Sequence, residues 1–111
     1  MLNVFDDNSI ELTRGDTARL SVTVTNDDGG IYTIQPSDTL TLSIKKSVND
    51  PEALIEKTIF GNNVFHIEPK DTSGLEFGKY KYDVQLTTAE GDVHTVITPS
   101  AFKIAQEVTT K

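Results

Sequence analysis

Hydrophobic and polar positions alternate most cleanly between Gly78 and Ile97. Tyr80, Tyr82, Val84 and Leu86 fall on one side, and Lys81, Asp83, Gln85 and Thr87 on the other. A period of two belongs to a strand with one buried face and one wet face. Ala89-Glu90-Gly91-Asp92 supplies turn chemistry, and the β-branched run Val93–Ile97 suits a return strand. The other strands are expected to pack on this aromatic-rich hairpin.

The same rhythm recurs along the chain. Ser9–Thr13 points Ile10 and Leu12 inward, and Ala18–Thr25 does so with Ala18, Leu20, Val22 and Val24. Ile31–Ile34 forms a short apolar strand stopped by Pro36. Thr39–Lys46 turns Leu40, Leu42 and Ile44 inward. Leu54–Phe60 carries its apolar residues in pairs, Leu54-Ile55 and Ile59-Phe60, which predicts contacts on both faces or a bulge. Val64–Glu68 follows, and after Pro99 comes a last strand around Phe102 and Ile104. The connections hold turn residues: Arg14-Gly15-Asp16-Thr17, Asn26–Gly30 and Gly61-Asn62-Asn63. Asp71–Leu75 reads as one helical turn with Asp71 or Thr72 as its N-cap. Residues 1–8 form a polar lead-in from which Val4 and Phe5 can dock. Many short strands with closely spaced turn signals and no amphipathic helix favour a β-sandwich over a small barrel.

Composition narrows the functional classes. A chain of 111 residues makes one domain. It has no cysteine, hence no disulfide framework and no thiolate metal site. Met1–Val4 runs into Asp6-Asp7 without a basic region or an apolar run, so no cleaved signal peptide is expected. No stretch approaches the roughly 20 apolar residues that span a bilayer as a helix. A net charge of −7, with ten Lys and Arg scattered among 17 acids, argues against nucleic acid and against anionic membrane surfaces.

Each candidate for chemistry has a plainer structural reading. Arg14-Gly15-Asp16 spells an integrin-type tripeptide, but a glycine turn with Asp16 bonding the backbone of Ala18 is the stronger reading. The acidic turn Asn26–Gly30, with Asp6 and Asp7, offers oxygen ligands for Ca²⁺ but lacks the spacing of an EF-hand loop. His66 and His94 each lie on a strand facing outward, without a third ligand for zinc. Asp83 is expected at the surface rather than turned inward towards Lys45 or Arg19. No nucleophile elbow, Cys–His pair or phosphate-cradling glycine loop is present, so no enzyme, catalytic residue, cofactor or metal is expected. Tyr80, Tyr82, Phe65, Phe77 and Phe102 are expected to fill the core. Phe5, Tyr32 and Phe60 sit near turns, where they become the candidate interface residues, because aromatics are enriched in interface cores.

Laid out in order, these segments resemble a small β-sandwich domain of Gram-positive phage and prophage tail proteins. The resemblance rests on IELTRGDTARLSVTV (10–24), PSDTLTLSIKK (36–46), HIEPKDTSGLEFGKYKYDVQL (66–86) and GDVHTVITPSAFKI (91–104). It is similar to the N-terminal module of siphophage baseplate upper proteins and to short stand-alone tail-associated proteins. Gly15, Asp16, Thr17, Asp71, Thr72, Leu75, Gly78, Tyr80 and Tyr82 match as fold determinants.

The resemblance implies an all-β, immunoglobulin-like antiparallel β-sandwich of about seven to nine short strands over residues 9–108, with a tail at 109–111. It implies a non-catalytic structural role in a phage tail or baseplate, in the virion after synthesis in the bacterial cytoplasm. The expected partners are other tail proteins and further copies of the chain, as a trimer or hexamer. Larger members continue beyond the point where this chain stops at Lys111, which fits a stand-alone small protein or an N-terminal piece. The competing expectation is a carbohydrate-binding or adhesin-like β-sandwich module.

Overall fold

The computed structural model describes residues 2–4, 7–26 and 28–106. Within them the chain is an all-β sandwich of eight strands and one helical turn. The strands are β1 (Leu2–Val4), β2 (Ile10–Thr13), β3 (Ala18–Ser21), β4 (Thr39–Lys45), β5 (Ile55–Phe60), β6 (Val64–Ile67), β7 (Gly78–Thr87) and β8 (Val93–Ala105). One sheet has the order β1-β2-β8-β7-β4-β5, and β3 pairs with β6 in the other. Ladders are antiparallel except β2–β8, which run parallel with Ile10 opposite Phe102. The six-stranded sheet faces the β3–β6 pair, the two-layer arrangement of an all-β sandwich. The hydroxyl of Tyr80, near the start of β7, donates to the carbonyl of Glu76 at 2.7 Å, as in the tyrosine corner of such folds.

Alternation decides which side chains meet between the sheets. Ile10, Leu12, Leu40, Leu42, Ile44, Tyr80, Tyr82, Val84, Leu86, Phe102 and Ile104 cover the inner face of the large sheet. Ala18, Leu20, Phe65 and Ile67 oppose them from the small one, and Val22 and Val24 extend that apolar row past the end of β3. Tyr82 meets Phe102 edge to face, with ring centroids 6.0 Å apart. Burying each Leu, Ile or Phe of this set contributes about 1.5–3 kcal/mol, so the core itself specifies the pairing register.

Several elements depart from the sequence reading. The lead-in contains a strand, β1, whose Leu2 lies opposite Leu12. Alternating burial runs on to Val24, yet β3 ends at Ser21 because its partner β6 begins opposite it at Val64. The Val22 N–H then donates to the carbonyl of the turn residue Asn63. Residues 31–34 make a single bridge, Thr25 to Ile31, instead of a strand. The return segment and the expected last strand are one continuous β8 running through Pro99. Two register shifts against β7 absorb its extra residues, including the proline that cannot donate to a ladder.

The paired apolar residues of β5 need neither two buried faces nor a bulge. Ile55 is buried and Ile59 half-buried, while Leu54 and Phe60 stay exposed. The helical turn α1 spans Pro69–Thr72 with Glu68 as N-cap, so neither Asp71 nor Thr72 caps it. Asp71 instead occupies the third helical position and accepts the Glu68 N–H at 2.8 Å, one half of a reciprocal capping box.

Candidate interaction surfaces

The sandwich is elongated, 44 × 26 × 24 Å. Its two ends differ in chemistry. The turn end carries residues 22–38, 61–63 and 88–92; the helix end carries 14–17, 46–54 and 68–77. Cross-strand register draws the outer face at the turn end, where Phe60 lies opposite Thr39, Thr39 opposite Thr87, and Thr87 opposite Val93.

At the turn end the Tyr32 hydroxyl donates to Asp38 at 2.6 Å, and the same carboxylate oxygen accepts the Gln35 N–H at 2.9 Å. Hydrogen bonding to the Asp38 carboxylate raises the Tyr32 pKa first, followed by desolvation and by the charges of Asp38 and Glu90. Tyr32, Thr88 and Val93 line one cleft, which places the β7–β8 turn beside Tyr32. Gly61 joins the same cluster: its N–H donates to the Asp38 carbonyl at 3.0 Å, and its φ of +65° and close approach to Pro36 favour a residue without a side chain. Between the 24–32 and 86–96 segments lies a cleft of about 530 Å³, walled by Val24, Tyr32, Leu86, Val93, His94 and Val96 among others.

The structure separates the three candidate interface residues. Phe5 lies outside the described residues. Tyr32 is half-buried against the core, with its hydroxyl committed to Asp38. Phe60 projects from the outermost strand of the large sheet and is 69% exposed. Two further apolar residues share its end, Ile31 at 74% and Val93 at 57% exposure. The sequence reading passed over both because each sits within a β-branched strand pattern. The usable signal was their position directly beside a turn.

At the helix end, motifs far apart in sequence lock together. Gly15 N–H donates to the buried Thr72 hydroxyl at 2.9 Å, and the Arg14 guanidinium donates to the Leu75 carbonyl at 3.3 Å. That guanidinium also lies 4.2 Å from the centroid of the Phe77 ring. Phe77 is therefore not a core residue; it is partly exposed beneath Arg14. Asp71 binds Lys57 at 2.7 Å. Partial burial opposes ionisation of Asp71, but the Lys57 and Glu68 hydrogen bonds and the charges of Lys57 and Lys70 hold its pKa below the usual carboxylate value.

Asp83 stays on the outer face, half-buried, in a hollow of about 230 Å³ that it shares with Ser43, Lys45, Val48, Lys81 and Pro99. His66 and His94 are both exposed, on different sheets. Among the described residues no group of three or more His, Cys, Asp or Glu could hold a metal ion. No described helix is long and apolar enough to cross a membrane.

No protein-family model matches the chain, and no curated protein matches it.

Proposed function

We propose that the protein is a non-catalytic assembly module of a phage or prophage tail or baseplate, acting through protein–protein contacts. The resemblance of residues 9–108 to such sandwich domains supplies the biological setting. The observation that carries the reading is that Phe60, Val93 and Ile31, three exposed large apolar side chains, share the turn end of the sandwich, while Val48, Leu54 and Phe77 are exposed at the other. Isolated exposed apolar residues are ordinary, whereas a group rimmed by polar turns marks a contact surface. Quantitative mass spectrometry of isolated tail particles tests the reading. The chain is expected in a copy number that is a multiple of three, and its absence from the particles would sink the proposal.

The cleft of about 530 Å³ at the same end favours one second reading, a carbohydrate-binding or adhesin-like module. Its volume lies within the roughly 300–1,000 Å³ of ligand sites. Binding on a glycan array, lost in Tyr32→Ala, would move the function there.

A further inference from the structure

The lysines and arginines are dispersed in sequence but not in space. Between Arg19 and Lys45, between Lys57 and Lys70, and between Lys81 and Lys103, the chain passes over the turn end without one lysine or arginine. Asp28, Asp38, Glu90 and Asp92 lie on those passages. Among the described residues the turn end thus carries these carboxylates with His94 and no lysine or arginine, and every described Lys and Arg lies towards the helix end.

There the lysines crowd. Lys45 stands directly opposite Lys81 on neighbouring strands, and Lys79 directly opposite Lys103. Like charges placed opposite each other destabilise a sheet, so this juxtaposition works against the isolated fold. Glu11 offsets part of it, 3.8 Å from Lys103, and Asp83 sits beside Lys45 and Lys81. The hollow framed by Lys45 and Lys81 has Val48 and Pro99 in its wall. At about 230 Å³ it is smaller than the roughly 300–1,000 Å³ of ordinary ligand sites, and suits a side chain or two.

Exposed apolar residues follow the same polarity. Among the described residues, Ile31, Phe60 and Val93 stand at the acidic end, and Val48, Leu54 and Phe77 at the other. Val93 directly follows Asp92, an acidic residue and an apolar one side by side where the turn closes into β8. The hollow offers that pair two lysines for the carboxylate and Val48 and Pro99 for the valine, in a wall that also holds Ser43, Asp83 and Gln85.

We propose that the acidic turn end of one copy, led by Asp92 and Val93, docks on the Lys45–Lys81 hollow of a second copy, head to tail. This rests on the assembly reading above for its setting and names the contact through which copies meet. Such a contact joins two different surfaces, so it repeats from copy to copy and yields a ring if the rotation closes, or a filament if it does not. The apolar side chains supply affinity, while the charges select the partner end and speed the encounter.

Sedimentation equilibrium of the purified chain over a wide concentration range tests it. Self-association is expected at low ionic strength and should weaken with added salt. Lys45→Glu/Lys81→Glu should weaken it at least about tenfold, as should Glu90→Lys/Asp92→Lys. Because Asp83 lies beside both positions, the first variant is compared with Lys45→Gln/Lys81→Gln, which relieves the lysine pair without adding carboxylates, should fold as the parent chain does, and should also weaken association. Mixing the two charge-reversed variants should restore association, because the acidic end of one then meets the intact lysines of the other.

A chain that stays monomeric at low salt, or association indifferent to both reversals, would overturn the proposal. A monomer that instead binds an oligonucleotide through Lys45 and Lys81 would overturn it too. Presence in tail particles without self-association would remove this contact and leave the assembly reading standing. Self-association with absence from particles would do the reverse.

Discussion

Alkaline titration of Tyr82 offers a quantitative test of how the core meets the surface. Tyr82 is 2% exposed, packs on Phe102 and donates its hydroxyl to the Asn8 carbonyl. Burial, with a smaller contribution from the Asp7 carboxylate, pushes its pKa up to about 12 from 10. The folded state therefore holds the phenolic proton more tightly than the unfolded chain. The stability tied to that proton is complete below about pH 10 and is lost as pH rises towards 12. Two pKa units correspond to a full loss of about 2.7 kcal/mol, of which about 1.4 kcal/mol has gone by about pH 11.

Tyr82→Phe keeps the ring and removes both the titration and the hydrogen bond, whose loss costs about 0.5–1.5 kcal/mol at neutral pH. Urea unfolding followed by circular dichroism at a series of pH values should show the variant less stable near neutrality. The two stability curves should converge and cross near about pH 11. Curves that stay parallel from neutral to about pH 11 would refute the reasoning, since they would mean that the hydroxyl titrates alike in the folded and unfolded chains.

Other consequences are smaller or simpler. Asp71→Asn removes the Lys57 ion pair and weakens the capping box, and should cost about 1 kcal/mol near neutrality by chemical denaturation. Because the Asp71 pKa is lowered in the folded state, the parent chain's advantage is present above the ordinary carboxylate pKa of 3.8 and should vanish as pH falls through the folded value. Gly61→Ala forces a side chain into φ +65° and within 3.2 Å of the Pro36 Cα, and should lower the thermal midpoint, with a cost of about 1–3 kcal/mol. Phe65→Ala empties a fully buried site facing the large sheet and should cost about 3–5 kcal/mol in denaturant unfolding, close to the stability of a small domain. Thr72→Val leaves the Gly15 N–H without its acceptor and should cost about 1–3 kcal/mol, whereas Thr72→Ser should retain the bond.

Much of this fold was legible because it is written with a period of two. β2, β4, β6 and β7 alternate strictly, and their buried sets came straight from the sequence. What misled were features that depend on a partner strand. The 18–25 alternation holds in burial, but ladder pairing stops where β6 runs out. Pro99 looked like a terminator, yet β8 carries it at a bulge where no bond from its nitrogen is called for. Glu68 took the capping position because Pro69 is well suited to the first helical position, leaving Asp71 to reach back.

The candidate surface was legible only in part. Phe60 stood out as an aromatic beside a turn, but Tyr32 fell in the same class and its commitment to Asp38 is a tertiary fact. The lysine pairs were invisible in a linear view. Lys45 and Lys81 are 36 positions apart and meet only through the β4–β7 register.

The parallel β2–β8 pairing has a consequence for how the chain is made. Ile10 to Thr13 can find their ladder partners only when Phe102 to Ala105 are available. On the ribosome, β4, β5 and β7 emerge able to pair among themselves, as do β1 and β2, while the edges of β7 and β2 destined for β8 wait uncovered. The domain closes on its last strand, and folding becomes a late event set by the release of residue 105. Until then an open β7 edge is the exposed template on which a neighbouring nascent chain can pair.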